Sequence, residues 1–156
     1  MIRILMVCLG NICRSPLAHG ILASKLNAID FEVDSAGTSN FHSNSPPDQR
    51  SIAVAEKYKL NISGQHSRPF KVKDFDIYNY IYVMDKSNLK NVVMMARNAK
   101  DISKVKLILN EKHPNKNLEV PDPYYGGYSG FETVYNMLDD ACNAIAKKLN
   151  TTRLHG

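Results

Sequence analysis

The segment Cys8-Leu9-Gly10-Asn11-Ile12-Cys13-Arg14-Ser15-Pro16 holds the residues best suited to covalent chemistry. It follows the apolar run Ile2 to Val7 and reads as a strand that turns through a glycine-containing loop into a helix. A thiol stands at the entrance and a guanidinium at the exit, with five residues between them. That span can wrap backbone N–H groups around one tetrahedral oxyanion. Successive amides in a tight loop, with a helix N-terminus, form an anion-binding concavity. The planar fork of Arg14 can hold two phosphate oxygens at once. On this reading the amides of Leu9, Gly10, Asn11, Ile12 and Cys13, running into Arg14, cradle a phosphoryl group. Gly10 permits the close turn, and Asn11 is a residue type that tolerates left-handed backbone angles. Helix N-termini and nearby cations favour the thiolate of a cysteine, and the Ser15 hydroxyl adds a hydrogen bond. Cys8 is therefore expected to attack phosphorus directly. The competing reading is an inert buried cysteine, which is common.

Breaking a phosphoester requires a proton for the leaving oxygen and then a base for the water that frees the enzyme. Asp122 is the candidate, in the aperiodic stretch Val120-Pro121-Asp122-Pro123-Tyr124-Tyr125-Gly126-Gly127. The prolines on either side fix its backbone and exclude it from regular structure. A plain turn aspartate is the alternative, because Asp-Pro turns are frequent. Cys13 also has two readings: a small apolar filler under the loop, or a second thiol that captures an oxidised Cys8 as a disulfide. Cys142 falls on the apolar face of the last helix and reads as core.

These side chains need a scaffold. Short β-rich runs alternate with helical patterns, the signature of an α/β fold with a parallel sheet. Ile2 to Val7 is a near-continuous apolar run, as for a central strand covered on both faces. Ser15 is expected as an N-cap with Pro16 at the first helical position, and Leu17, Ile21, Leu22 and Leu26 as the buried face of that helix. Further strands are expected at Phe31 to Ser35, Ile77 to Met84 and Val105 to Leu109. Helices are expected from near Asp48, with Ile52, Ala55 and Tyr58 inward, and at Lys86 to Ala96. The last helix is the clearest, with Phe131, Val134, Tyr135, Leu138, Ala141, Cys142, Ile145 and Leu149 at helical spacing. Both unusual segments then fall at carboxyl ends of parallel strands, where open α/β sheets place their sites.

The 156 residues, with no repeat and no linker, suit a single domain over residues 1–156. Hydrophobic content of 44% and charged content of 22% are those of a soluble globular protein. No apolar run approaches the roughly 18 residues of a membrane span, and Gly10, Asn11 and Arg14 interrupt the N-terminal run before it can serve as a signal peptide. The expected location is the cytoplasm. Three cysteines without a Cys-x-x-Cys make neither a disulfide framework nor a metal site, and the histidines are scattered singly. A net charge of +5 favours an anionic substrate. No basic run exceeds Lys147-Lys148, which argues against nucleic acid as a partner.

Taken together, Cys8 to Pro16 and Asp122-Pro123-Tyr124-Tyr125-Gly126 resemble the low-molecular-weight protein tyrosine phosphatases. Val33 to Gly37, Ser45 to Asp48, His66-Ser67-Arg68 and Met84 to Leu89 match as well, so the resemblance spans roughly residues 2 to 150. It implies a three-layer α/β fold with a four-stranded parallel sheet flanked by helices on both faces. It also implies a two-step hydrolysis of phosphotyrosine without metal or cofactor. By the same resemblance Cys8 is the nucleophile, Arg14 the phosphate binder and Asp122 the proton donor. Asn11 is implied to be held strained by a network with Ser15, Ser35 and His66, while Phe41, Tyr124 and Tyr125 form the pocket wall. The implied partners are tyrosine-phosphorylated proteins or small aryl phosphates, with the enzyme a monomer or weak homodimer and neither nucleic acid nor membrane involved. His19 stands where many members carry glutamate, and Phe41 where some carry tryptophan or tyrosine. Arginine phosphatases of this type carry threonine at the place of Ile12, so isoleucine favours phosphotyrosine. Arsenate reduction on the same architecture needs a downstream cysteine pair, and residues 14 to 141 contain none. A non-catalytic phosphate-binding module would require neither the thiol nor the acid.

Overall fold

A computed structural model of the chain describes residues 1–39, 43–124 and 127–155, the side chains of 152–155 excepted. Four strands form one parallel sheet in the order β2-β1-β3-β4: β1 (Ile2–Cys8), β2 (Phe31–Gly37), β3 (Tyr80–Val83) and β4 (Val105–Leu107). Strand β1 is central, and Ile4 to Val7 are wholly removed from solvent. Its alternate residues supply two different cores, as the two-residue period of a strand requires. Ile4, Met6 and Cys8 face a large cluster with Leu17, Ile21, Val54, Phe131 and Leu138. Leu5 and Val7 face a smaller one with Phe75, Ile81, Val83 and Val92.

The helices lie accordingly on both faces. Helices α1 (Arg14–Lys25), α2 (Gln49–Lys57) and α6 (Tyr128–His155) contribute to the larger core, and α3 (Asp74–Ile77) and α4 (Lys86–Met94) to the smaller. Helix α5 (Ala99–Ser103) precedes β4, and a 3-10 turn (Ile108–Glu111) follows it. This is the expected three-layer α/β architecture. All eight residues predicted for the inner face of the last helix are buried in α6.

Several local expectations shift. Helix α1 begins at Arg14, with Cys13 as a cap that makes no side-chain hydrogen bond. Ser15 is thus inside the first turn rather than an N-cap, and its hydroxyl is spent on the site described below. Helix α2 is capped by Asp48, whose side chain accepts from the Arg50 N–H, but it buries Ser51, Val54 and Ala55. Tyr58 instead stacks on Tyr135 of α6 with ring centroids 4.2 Å apart. Strand β3 starts three residues later than expected, because Ile77 closes α3 and lies largely exposed. Strand β4 likewise gives way to the 3-10 turn after Leu107. Helix α5 escapes hydropathy because its buried residue is Asp101, and its cap is the Asn98 side chain accepting from the Asp101 N–H.

Candidate active site

The site lies where β1 ends and α1 begins. Cys8 is the last residue of β1 and only 2% exposed. Its sulfur lies 3.0 Å from the Ser15 hydroxyl oxygen. That oxygen also accepts from Asn11 Nδ2 at 2.7 Å, and the same amide donates to Ser35 Oγ at 3.0 Å. Asn11 Oδ1 accepts the backbone N–H of Arg68 at 3.0 Å. Asn11 is buried and has φ of 57°, so three hydrogen bonds hold a non-glycine residue in the left-handed region. No described glycine has positive φ, so Gly10 is not the left-handed residue of the loop. His66, expected in this network, is exposed, and the Asn11 carbonyl is met by Arg68 instead.

The carbonyls of the loop turn toward the scaffold. Those of Cys8 and Leu9 accept from the Thr38 and Ser39 N–H groups, and that of Ile12 from the Asp48 N–H. Ser51 Oγ donates to the Cys13 carbonyl. Close approach of the loop to β2 depends on Gly37: a Cβ there would stand 2.8 Å from Leu9 O and 3.1 Å from Asn11 Cβ. Leu9 is exposed, Ile12 is half-buried against the larger core, and Cys13 is buried. Burial, followed by the charges of Asp48, Cys8 and Asp122, pushes the Cys13 thiol up to about 12. All three cysteines are free thiols.

Arg14 is 2% exposed, which only ion pairing makes tolerable. Its Nη1 donates to Asp85 Oδ2 at 2.6 Å and to the Val120 carbonyl at 2.9 Å. Burial alone would lower its basicity, but Cys8, the Asp85 hydrogen bond and charge, and Asp122 together raise it. Asp85 has two duties, since its Oδ1 caps α4 through the Asn88 N–H. Val120, fully buried, is pinned by its own N–H to the Met84 carbonyl at the end of β3. Two residues on, Asp122 brings Oδ2 to 3.8 Å from Arg14 Nη2, while its Oδ1 accepts the Tyr124 N–H at 3.0 Å.

Tyr124 is half-buried at the rim, beside the Arg50 guanidinium. Phe41 and Tyr125, the other predicted wall residues, lie outside the described residues. Among the described residues no three His, Cys, Asp or Glu side chains gather into a metal cage, and no helix is long and apolar enough to cross a membrane. His19 sits one turn into α1, partly buried, and burial lowers its basicity although Asp34 and Gln65 oppose this.

Cys8, Arg14, Ser15, Asn11, Ser35 and Asp122, all expected from the sequence, converge here. Asp85, Val120, Arg50 and the Arg68 N–H add contacts that no sequence motif announces. Asp85 at the end of a strand and the start of a helix was the one available signal; the others depend on contacts distant in sequence.

The parallel four-stranded sheet, whose central strand delivers a cysteine to a tight loop facing a buried arginine and an aspartate, places the chain among the α/β phosphatases. The family model described as low molecular weight phosphotyrosine protein phosphatase matches residues 3–154, and the chain belongs to that family. It is 36% identical to the low molecular weight phosphotyrosine protein phosphatase of Dictyostelium discoideum, over 96% of this chain and 94% of that one. With the human protein of the same name it shares 35% identity, over 93% and 94%. A crystal structure of a protein tyrosine phosphatase from Entamoeba histolytica superposes with a TM-score of 0.89 at 32% identity, covering 98% of this chain and 99% of that one.

Proposed function

We propose that this chain hydrolyses phosphotyrosine monoesters in two steps through a phosphocysteine at Cys8. The observation that carries this is the convergence on one loop of the Cys8 sulfur, the buried Arg14 and the Asp122 carboxylate. The thiolate of Cys8 attacks phosphorus, and the ester P–O bond breaks as Asp122 delivers a proton to the departing phenolate oxygen. Asp122, now a carboxylate, then takes a proton from water as the water attacks phosphorus. The P–S bond breaks, releasing inorganic phosphate and the Cys8 thiolate.

The surroundings support each role. With the carbonyls of residues 8, 9, 12 and 13 bonded to the scaffold, the amides of Leu9 to Arg14 are available to the charge that spreads over the equatorial phosphoryl oxygens. Both protons of Arg14 Nη1 are committed to Asp85 and Val120, which leaves the Nε–Nη2 edge for two phosphate oxygens. The Ser15 oxygen accepts from Asn11, so its own proton is free for the sulfur. Ser35 holds Asn11 in place, and Tyr124 forms part of the wall against which an aryl ring stacks, with Phe41 and Tyr125 assigned to the same wall. Substrates of this geometry are tyrosine-phosphorylated proteins or small aryl phosphates. The same reading makes residues 1–156 one domain acting as a monomer or weak homodimer, and three free thiols suit the reducing cytoplasm.

Hydrolysis of phosphotyrosine, phosphoserine and phosphoarginine peptides by wild type and Cys8→Ser tests the reading. The expected result is turnover of phosphotyrosine in strong preference to the other two, abolished by Cys8→Ser while inorganic phosphate still binds. Undiminished rates in Cys8→Ser would overturn it.

A further inference from the structure

The acid loop needs something to hold it above the phosphate loop, and one cation outside the reaction reaches both. Arg50, in the first turn of α2, donates from Nε and Nη2 to the Asp48 carboxylate, each at 3.0 Å. The Asp48 backbone N–H in turn donates to the Ile12 carbonyl at 2.8 Å, so this pair is anchored to the phosphate loop itself. From that anchor the guanidinium lies over two rings: its carbon is 4.5 Å from the Phe131 centroid and 5.6 Å from that of Tyr124. Phe131 is fully buried in α6 and serves as the floor. Tyr124 belongs to the acid loop, and its N–H is the group that holds Asp122 Oδ1.

We propose that Arg50 is a positioning residue for proton transfer: anchored by Asp48, it clamps Tyr124 and thereby fixes the Asp122 carboxylate over the Cys8 loop. The inference rests on the reading of Asp122 as the general acid. A cation within about 6 Å of a ring face is attracted to it, and the hold strengthens as water is excluded. The Asp48 carboxylate sets the orientation of the fork, which lysine would not reproduce. Protonation of a leaving oxygen depends steeply on the placement of the acid, whereas a good leaving group departs with little help.

The test compares kcat/KM for aryl phosphates with poor and good leaving phenols, in wild type, Arg50→Met, Arg50→Lys, Asp122→Ala and the double variant Arg50→Met/Asp122→Ala. Methionine keeps an apolar stem on Phe131, and thermal melts confirm that each variant is folded. Arg50→Met is expected to cost roughly tenfold with the poor leaving group and to have little effect with the good one. Arg50→Lys is expected to recover part of the loss, and Arg50→Met to add nothing in the Asp122→Ala background. A loss equal for both leaving groups, or one that persists undiminished in the Asp122→Ala background, would overturn the inference. If Asp122→Ala itself shows no dependence on the leaving group, the assignment of the acid fails, and the role of Arg50 with it.

Discussion

The Ser15 hydroxyl stands 3.0 Å from the Cys8 sulfur. It does so because α1 starts one residue before it, which places Ser15 inside the first turn with its side chain under the loop. Asn11 Nδ2 donates to the same oxygen at 2.7 Å, so the hydroxyl bridges the left-handed residue of the loop and the sulfur.

Ser15→Ala should therefore slow the reaction more than it weakens the fold. A hydrogen bond to a charged group is worth about 1.5–3 kcal/mol, so kcat/KM for an aryl phosphate is expected to fall about 10- to 100-fold. Steady-state kinetics with a parallel thermal melt separate the two effects. An unchanged kcat/KM would mean that this contact does not serve the nucleophile.

Gly37→Ala addresses the scaffold behind the loop. A Cβ at this position meets Leu9 O at 2.8 Å and Asn11 Cβ at 3.1 Å, so the loop must shift. Overpacking of this kind costs about 1–3 kcal/mol, and the shift moves the amides that face phosphate. The expected outcome is weaker binding of inorganic phosphate, measured calorimetrically, together with a lower melting temperature. Wild-type phosphate affinity in Gly37→Ala would show that the loop does not depend on this close approach.

Stability should decline on the alkaline side. Burial, then Asp48, Cys8 and Asp122, raises Cys13 from an ordinary 9.0 to about 12. Burial first, then neighbouring carboxylates, raises Tyr78 and Tyr135 from 10.0 to about 12. The folded protein thus retains protons that the unfolded chain releases, so their contribution is complete below pH 9.0 and is lost as pH rises toward about 12. Urea unfolding followed at a series of pH values should show a midpoint that falls over that window. A midpoint that stays flat or rises there would contradict the burial of these groups.

Much of the site was legible because its chemistry is local. Cys8, Asn11, Arg14 and Ser15 lie within one turn of chain, and the strand and helix on either side announce themselves by an unbroken apolar run and by Pro16. The inner face of α6 was legible for the same reason, through its period. What the sequence hid is tertiary. Arg14 meets Asp85 across 71 positions and Val120 across 106, and Asn11 meets the Arg68 N–H across 57. A backbone N–H is present at almost every residue, so nothing in the chain singled out Arg68 over His66 as the partner of Asn11. Helix α5 was missed because a capped, charged element buries an aspartate and leaves its isoleucine exposed. Arg50 belongs to no motif in the sequence, and its significance comes only from the two rings beneath it.

The most direct measurement is the capture of the covalent intermediate. Asp122→Ala, mixed with an aryl phosphate bearing a good leaving group and quenched in acid during turnover, should carry one phosphoryl group per chain on the Cys8 sulfur, located by peptide mass spectrometry. The same label should be missing from Cys8→Ser. Release of phenol with no phosphoryl group on Cys8 at any quench time, or a phosphoryl group on another residue, would contradict nucleophilic attack by that sulfur.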